Sequence, residues 1–352
     1  MNYMRRALSL ARQALGHSSP NPAVGAVIVK DGVIVGEGYT QPPGSHHAEI
    51  MALQQAKESA QGAILYVTLE PCCYHGRTPP CTKAIKAAGI AEVHLATLDP
   101  NTLVCGKGQA ELEAAGIKTV IGSLEAEAIE INEAYIKHIT TQLPFVTIKT
   151  TLTLDGSSIK ETDVSKLLKE VGFQQWFQYL HSTTDAILIG TDGIAAGTIN
   201  GHKCVTRDAF QLVSSTSNVS AITNQDKIIL AMRQPRGDEK AASLIRSNNN
   251  ITELPLVNGK MDFKKLLVEL GKQGIISIVV ESGSNSLHTI WQQGLVDKVI
   301  VMVVPAVLGQ HSRTCELSGV INGSIDIQML RKVKTHKFGE NILISGYLRG
   351  NS

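Results

Sequence analysis

His47-Ala48-Glu49 and, downstream, Pro71-Cys72-Cys73-Tyr74-His75-Gly76-Arg77-Thr78-Pro79-Pro80-Cys81 bring an imidazole, several thiols and an uncommitted carboxylate into one stretch of chain. One imidazole and two thiolates can hold Zn²⁺ and keep a fourth position for water. The pKa of that water falls to about 7, so hydroxide becomes available at neutral pH. A structural zinc site closes its tetrahedron with a fourth Cys or His. Here Glu49 stands two residues from the histidine, where a carboxylate can shuttle protons. This is the kit for hydrolytic deamination, whose generic signature is HxE followed by PCxxC. Pro71-Cys72 matches that signature, but eight residues rather than two separate Cys72 from Cys81. On spacing alone, zinc and a helix-surface His/Glu pair both stay open. Cys73 competes with Cys72 as a ligand; otherwise it is a small buried thiol.

These side chains need a frame. Residues 2–15 place Ala7, Leu8, Leu10, Ala11 and Leu15 near helical spacing, which Gly16, Pro20 and Pro22 end. Asp31-Gly32 between apolar runs at 23–29 and 33–35 predicts a type I′ hairpin. His47 opens a helical pattern through Ile50, Leu53 and Ala56, so His47 and Glu49 fall on its first turn. Ile64 to Leu69 reads as a strand stopped by Pro71, which leaves Cys72 at a strand end and Cys81 at or before a helix over 82–88. A strand over 93–97 carries Asp99-Pro100-Asn101 at its tip, where parallel strands place ligand-contacting loops. A helix over 109–115, a strand over 118–121 and a helix over about 124–138 follow. Such alternation implies a sheet with helices on both faces.

Gln142-Leu143-Pro144 reads as a linker, giving a first domain over 1–143 and a second over 144–352. The second carries strand patterns at 145–151, 185–190, 227–232, 275–280 and 298–305 and helical ones at 165–180 and 284–293. Ser214 to Gln225 and Ser247 to Asn250 read as solvated loops. At 352 residues the chain has room for two buried cores. With 33 basic against 31 acidic residues and 4% aromatics, it offers neither an electrostatic footprint nor a stacking platform for nucleic acid, so a small-molecule substrate is expected. Val299 to Leu308, the most apolar run, is shorter than the roughly 20 residues of a membrane span. Arg12 and Gln13 interrupt the first apolar stretch too early for a secretory leader. A cytoplasmic protein is expected, with no membrane partner and with its clustered cysteines serving a metal rather than disulfides. Cys105, Cys204 and Cys315 are expected to be buried hydrophobes.

Residues 20–121 resemble the deaminase half of the bifunctional riboflavin-biosynthesis deaminase/reductase family, RibD, through NPAVGAVIV, HAEIMAL, LYVTLEPCCYHGRTPPCTKAI and DPNTLVCGKG. That family uses the long spacer with GRTPPC, so the spacing becomes a match. The resemblance implies a cytidine-deaminase-like three-layer α/β domain in which His47, Cys72 and Cys81 hold zinc and Glu49 moves the proton. It places Asn21, Arg77, Asp99 and Asn101 against the pyrimidine or the ribose phosphate. Arg77 suits phosphate because a guanidinium offers a charge-assisted fork; Asp99 and Asn101 could instead only cap the following turn. Thr40 and Tyr74 depart from the histidines that family members often carry there.

From residue 144 the chain resembles the family's reductase domain, a dihydrofolate-reductase-like α/β fold that takes hydride from NADPH. PFVTIKTTLTLDG, residues 165–190 and VVESGS at 279–284 carry this resemblance. It implies Lys149, Asp155, Ser165, Glu281, Gly283 and Ser284 as cofactor or second-site residues. The family's SxWIT is here Ser165-Lys166-Leu167-Leu168-Lys169, its helix arginine falls on His181, and its ADxPxLTxR falls on Ala196-Gly197-Thr198-Ile199, with Cys204 near the last arginine. Two lost arginine contacts at about 1.5–3 kcal/mol each predict affinity weakened by about 10²-fold or more, unless His202, Lys203 and Arg207 supply replacement charge.

The resemblance thus implies zinc-dependent deamination of 2,5-diamino-6-ribosylamino-4(3H)-pyrimidinone 5′-phosphate, joined to NADPH-dependent reduction of the ribosyl side chain, in a homo-oligomer. The alternatives are a monofunctional deaminase with a scaffold-only second domain, a deaminase of another nucleoside or nucleotide, and a non-catalytic zinc module.

Overall fold

The computed structural model describes residues 2–76, 78–157, 159, 171–190, 210–215, 228–232, 251–253, 256–257, 260–281, 285–307 and 329–348. The chain divides into two units, Met1–Leu143 and Pro144–Ser352.

In the first unit, the Asn2 side chain accepts from the Arg5 amide at 3.1 Å and starts α1 (Tyr3–Ala14), satisfying an amide that a helix start leaves open. β1 (Gly25–Lys30) and β2 (Val33–Tyr39) form an antiparallel hairpin. Asp31 and Gly32 turn it at φ of 50° and 77°, the backbone a type I′ turn requires. β2 continues beyond the expected end at residue 35 because two glycines let α2 (Ala48–Ala56) lie directly on the strand. A Cβ on Gly36 would meet the Ala52 carbonyl at 2.2 Å, and one on Gly38 the Ala48 carbonyl at 2.4 Å. On the opposite face Val27 and Val29 pack against Met4, Ala7 and Leu8 of α1. The sheet is therefore the middle of three layers.

β3 (Ile64–Val67), β4 (Glu92–Leu95) and β5 (Lys118–Ile121) extend the sheet in the order β2-β1-β3-β4-β5, parallel from β3 to β5. The connecting helices are α3 (Cys81–Ala87) and α4 (Lys107–Ala114). The single helix expected over 124–138 is two, α5 (Glu125–Ile131) and α6 (Glu133–Thr141), broken at Asn132. Asn132 is buried, accepts from the Ala23 amide at 2.8 Å and donates to the Ala23 carbonyl at 3.0 Å. Asparagine readily trades helical continuity for such backbone bonds.

In the second unit, β6 (Phe145–Thr153) is buried along almost its whole length, as a strand covered on both faces must be. Further strands are β7 (Ala186–Gly190), β8 (Phe210–Ser215), β9 (Ile228–Met232), β10 (Ile251–Glu253), β11 (Leu256–Val257), β12 (Lys260–Met261), β13 (Ser277–Glu281), β14 (Lys298–Val304), β15 (Arg331–Phe338) and β16 (Asn341–Tyr347). Nine of them form one sheet in the order β10-β9-β8-β7-β13-β6-β14-β16-β15, parallel up to β14 and antiparallel beyond it. The described helices are α7 (Val171–Ser182), α8 (Phe263–Lys272) and α9 (Asn285–Gln292). Phe173 of α7 shares a core with Ile300, Met302, Val304 and Leu343. Ser214 and Ser215 end β8 rather than starting a solvated loop. No helix among the described residues is long and apolar enough to cross a membrane.

Candidate metal and substrate site

The starts of α2 and α3 meet. His47 immediately precedes α2 in extended backbone, Glu49 lies in its first turn, and Cys81 is the first residue of α3. His47 Nδ1 lies 3.5 Å from Cys72 Sγ and 3.3 Å from Cys81 Sγ, and the three donor atoms are within 4.8 Å of one another. A tetrahedral zinc, with bonds of about 2.3 Å to sulfur and about 2.0 Å to nitrogen, would hold an N/S ligand pair about 3.5 Å apart. Spacing and donor chemistry both fit zinc. The other ring nitrogen, Nε2, is 3.3 Å from Thr78 Oγ1, the kind of partner that fixes a ligand imidazole. The Cys81 amide donates to Cys72 Sγ at 3.3 Å and the Thr82 amide to the Cys72 carbonyl at 3.2 Å, so the start of α3 tethers Cys72.

Hydrogen bonding from Cys81 pulls the Cys72 thiol down to about 4 against the effect of burial, and His47 assists. The same bond, together with burial, pushes Cys81 up, and the bond to Cys72 raises His47. A metal there would take both sulfurs as thiolates. Glu49 is 4% exposed, and burial pushes its carboxyl up to about 7, where a group both gives and takes protons at neutral pH.

A cavity of about 430 Å³ opens on these groups, lined by Asn21, His47, Glu49, Cys72, Asp99 and Asn101 among others. Cys81 is fully buried. Arg77 lies outside the described residues. Thr40 and Tyr74 line the same cavity, and the Thr40 hydroxyl accepts from the Val24 amide at 3.1 Å. Cys73 is not a member of the ligand group; its Sγ lies 3.9 Å from the Leu103 carbonyl. Cys105, expected to be buried, is exposed in the loop that leads into α4. Cys204 and Cys315 lie outside the described residues.

Three residues that the motifs did not single out line the cavity, Glu70, Thr78 and Tyr135, and Asn132 ties the start of α6 to Ala23. Glu70 is buried and accepts three backbone amides, Asp99 at 3.2 Å, Gly106 at 2.9 Å and Gln109 at 3.0 Å. Its signal was a charged residue closing an otherwise apolar strand at LEPCC. Tyr135 donates to the Asp99 carboxylate at 3.0 and 3.2 Å. Asp99 in turn accepts the Asn101 amide at 2.9 Å, so it caps its turn and faces the cavity at once. Burial pushes Asp99 up to about 6.

A family model of the cytidine and deoxycytidylate deaminase zinc-binding region matches residues 1–97, and one of the RibD C-terminal domain matches residues 144–344. The chain belongs to the RibD family. It is 35% identical over 350 residues to a riboflavin biosynthesis protein RibD of Aquifex aeolicus, covering 97% of each chain. It is 36% identical to an Escherichia coli protein of that name, covering 90% of this chain and 91% of that one. Among solved structures, an Acinetobacter baumannii RibD superposes with a TM-score of 0.81 at 31% identity over 99% of this chain and 98% of that one. A Thermotoga maritima diaminohydroxyphosphoribosylaminopyrimidine deaminase/5-amino-6-(5-phosphoribosylamino)uracil reductase gives 0.78 at 26% identity over 98% and 97%.

In the RibD C-terminal region, Lys149 of β6 and Glu281 of β13 are register partners on adjacent parallel strands. Lys149 Nζ donates to Glu281 Oε1 at 3.3 Å, and His181 Nε2 lies 2.9 Å from the same oxygen. Lys149 also sits 3.7 Å above the Phe177 ring. Burial alone would raise Glu281, but Lys149 and His181 hold it down at about 2. Asp155 occupies the turn after β6, where it accepts from the Thr153 and Ser157 hydroxyls. Ser165, Gly283 and Ser284 lie outside the described residues, as do the segments 165–169 and 196–204 where motifs diverge. Among the described residues, the hydroxyls of Thr150 and Thr151, buried on β6, have no hydrogen-bond partner. They point to opposite faces of the strand, so a polar ligand on one face, such as NADPH, would satisfy one of them.

Proposed function

We propose that the first unit deaminates 2,5-diamino-6-ribosylamino-4(3H)-pyrimidinone 5′-phosphate and that the second reduces the ribosyl side chain with NADPH. What carries the first half is one juxtaposition: a His/Cys/Cys donor set of zinc spacing, two of whose members line the same cavity as a buried carboxylate outside that set, Glu49. His47, Cys72 and Cys81 are the proposed ligands. Zinc, when bound, supplies the Lewis acidity that makes hydroxide available near neutral pH. The Glu49 carboxylate takes one proton from the attacking water and gives it to the ring nitrogen, then carries the second from the hydroxyl added to the ring carbon to the amine, so the carbon–nitrogen bond breaks, the carbonyl forms and ammonia leaves. Asn21, Asp99 and Asn101 orient the pyrimidine and ribose from the cavity wall, and Arg77 meets the phosphate.

For the second half, Lys149, Asp155, Ser165, Glu281, Gly283 and Ser284 are the proposed cofactor or substrate residues. The RibD C-terminal match over 144–344 favours two activities over a scaffold-only second unit. The ligand thiols suit a reducing compartment, hence the cytoplasm; assembly as a homo-oligomer is checked by sedimentation velocity. The test of the reaction is purified protein supplied with the aminopyrimidine phosphate, zinc and NADPH. Ammonia release followed by NADPH oxidation is expected. Ammonia release from a dephosphorylated nucleoside in preference would overturn the substrate assignment.

A further inference from the structure

Tyr135 lies on α6, beyond the residues that match the deaminase zinc-binding region, yet it lines the cavity. Its ring is 8% exposed and its hydroxyl bridges the two oxygens of Asp99, at 3.0 Å to Oδ1 and 3.2 Å to Oδ2. Oδ1 also takes the Asn101 amide at 2.9 Å. Acceptor capacity on the Oδ2 side is therefore what the carboxylate keeps for a ligand. The backbone at Asp99 is held separately, because the Glu70 carboxylate accepts the Asp99 amide at 3.2 Å. Main chain and side chain of the same residue thus have different anchors, one on the strand end and one on a helix.

The helix that carries Tyr135 is fixed to the other side of the cavity as well. Asn132, one turn earlier, holds both backbone groups of Ala23, two residues from Asn21. His138 and Ile139, one turn later, line the cavity with Tyr135, as residues three and four apart on one helical face should. We propose that Tyr135 is a positioning residue that aims the Asp99 carboxylate at a hydroxyl or amino donor of the pyrimidine ribonucleotide, making α6 part of the wall that selects the substrate. This rests on the cavity being the deaminase site. Removing the phenolic hydroxyl leaves a buried carboxylate one donor short, free to rotate away from the ligand.

The test is Tyr135→Phe in the full-length, zinc-loaded protein, alone and combined with Asp99→Ala. A KM for the aminopyrimidine phosphate raised about tenfold, equivalent to about 1.4 kcal/mol, is expected with kcat within about threefold and zinc content unchanged. If Tyr135 acts through Asp99, adding Tyr135→Phe to Asp99→Ala changes KM less than twofold, the non-additivity of residues that share one interaction. An unchanged KM in the single variant, additive losses in the double, or a fall in kcat that tracks a fall in melting temperature overturns the proposal. Crystal structures of both proteins decide it independently of turnover: a rotated Asp99 carboxylate in Tyr135→Phe supports it, and an unmoved one overturns it. Should the wild type bind but not deaminate the aminopyrimidine phosphate, the functional assignment fails and the carboxylate comparison still stands.

Discussion

Glu70→Gln isolates what one buried carboxylate does for the loop over 99–109. In the native protein Oε2 accepts the amides of Asp99 and Gly106 and Oε1 accepts that of Gln109, at 3.2, 2.9 and 3.0 Å. Glutamine keeps the volume. Its oxygen can retain the first two bonds only in weaker neutral form, and its NH₂ then faces the Gln109 N–H, donor against donor. Going from a charged to a neutral acceptor costs about 1 kcal/mol per bond, and a buried amide left unsatisfied costs about 1–3 kcal/mol. The sum is about 3–5 kcal/mol, concentrated in residues 99–109. Gly108 closes off relaxation in one direction, since a Cβ there would already meet the Pro71 carbonyl at 2.2 Å. The assay is native-state hydrogen exchange, which reads local opening directly. Amides of Asp99, Gly106 and Gln109 are expected to exchange about 10²-fold faster at least, since each 1.36 kcal/mol is a factor of ten. Amides of β6, in the second unit, should not change. Unaltered protection across 99–109 in a folded Glu70→Gln protein would show that Glu70 does not hold this loop.

Glu49→Gln should retain one zinc per chain while ammonia release falls by at least about 10²-fold, the usual loss for a general acid/base; unchanged turnover would instead indicate a non-catalytic metal module. In the second unit, Glu281 is held at about 2 by Lys149 and His181 against burial, below its ordinary 4.5. A depressed carboxyl contributes stability that is fully present above about 4.5 and lost as pH falls toward 2. Urea unfolding of the second unit should therefore lose stability across that window in the wild type. The loss should be shallower in Glu281→Gln, which is also weaker near neutral pH by about 3–5 kcal/mol because Lys149 is left buried without its anion. Identical pH slopes in the two proteins would remove the ion pair from the account.

The first unit's frame was legible because its signals are local. Asp31-Gly32 demands positive φ, a helix begins right after His47 with Glu49 in its first turn, and Pro71 ends a strand, so the backbone positions of the candidate metal donors follow from spacing. What was not legible depends on contacts far apart in sequence. Asn132 interrupts a good helical pattern because its best partner is Ala23, and no window around either residue contains both. Tyr135 and Glu70 converge on Asp99 from a helix and a strand end. β2 runs on through Gly36 and Gly38, and the need for glycine there comes from α2 lying on them. Cys105 shows the reverse error: a thiol assigned to the core by residue type sits exposed in a loop. In the second unit, Lys149, Glu281 and His181 come together only because β6 and β13 are neighbours in a sheet whose order departs from that of the sequence. α8, β15 and β16 carried too few paired signals to be marked at all.

A metal gripped by His47, Cys72 and Cys81 is the centre of the proposed chemistry. Zinc-edge X-ray absorption on protein that is actively releasing ammonia tests this directly. Two sulfurs at about 2.3 Å and light-atom ligands at about 2.0 Å are predicted. Full ammonia release from protein that contains no zinc, or a zinc shell without sulfur, would contradict it.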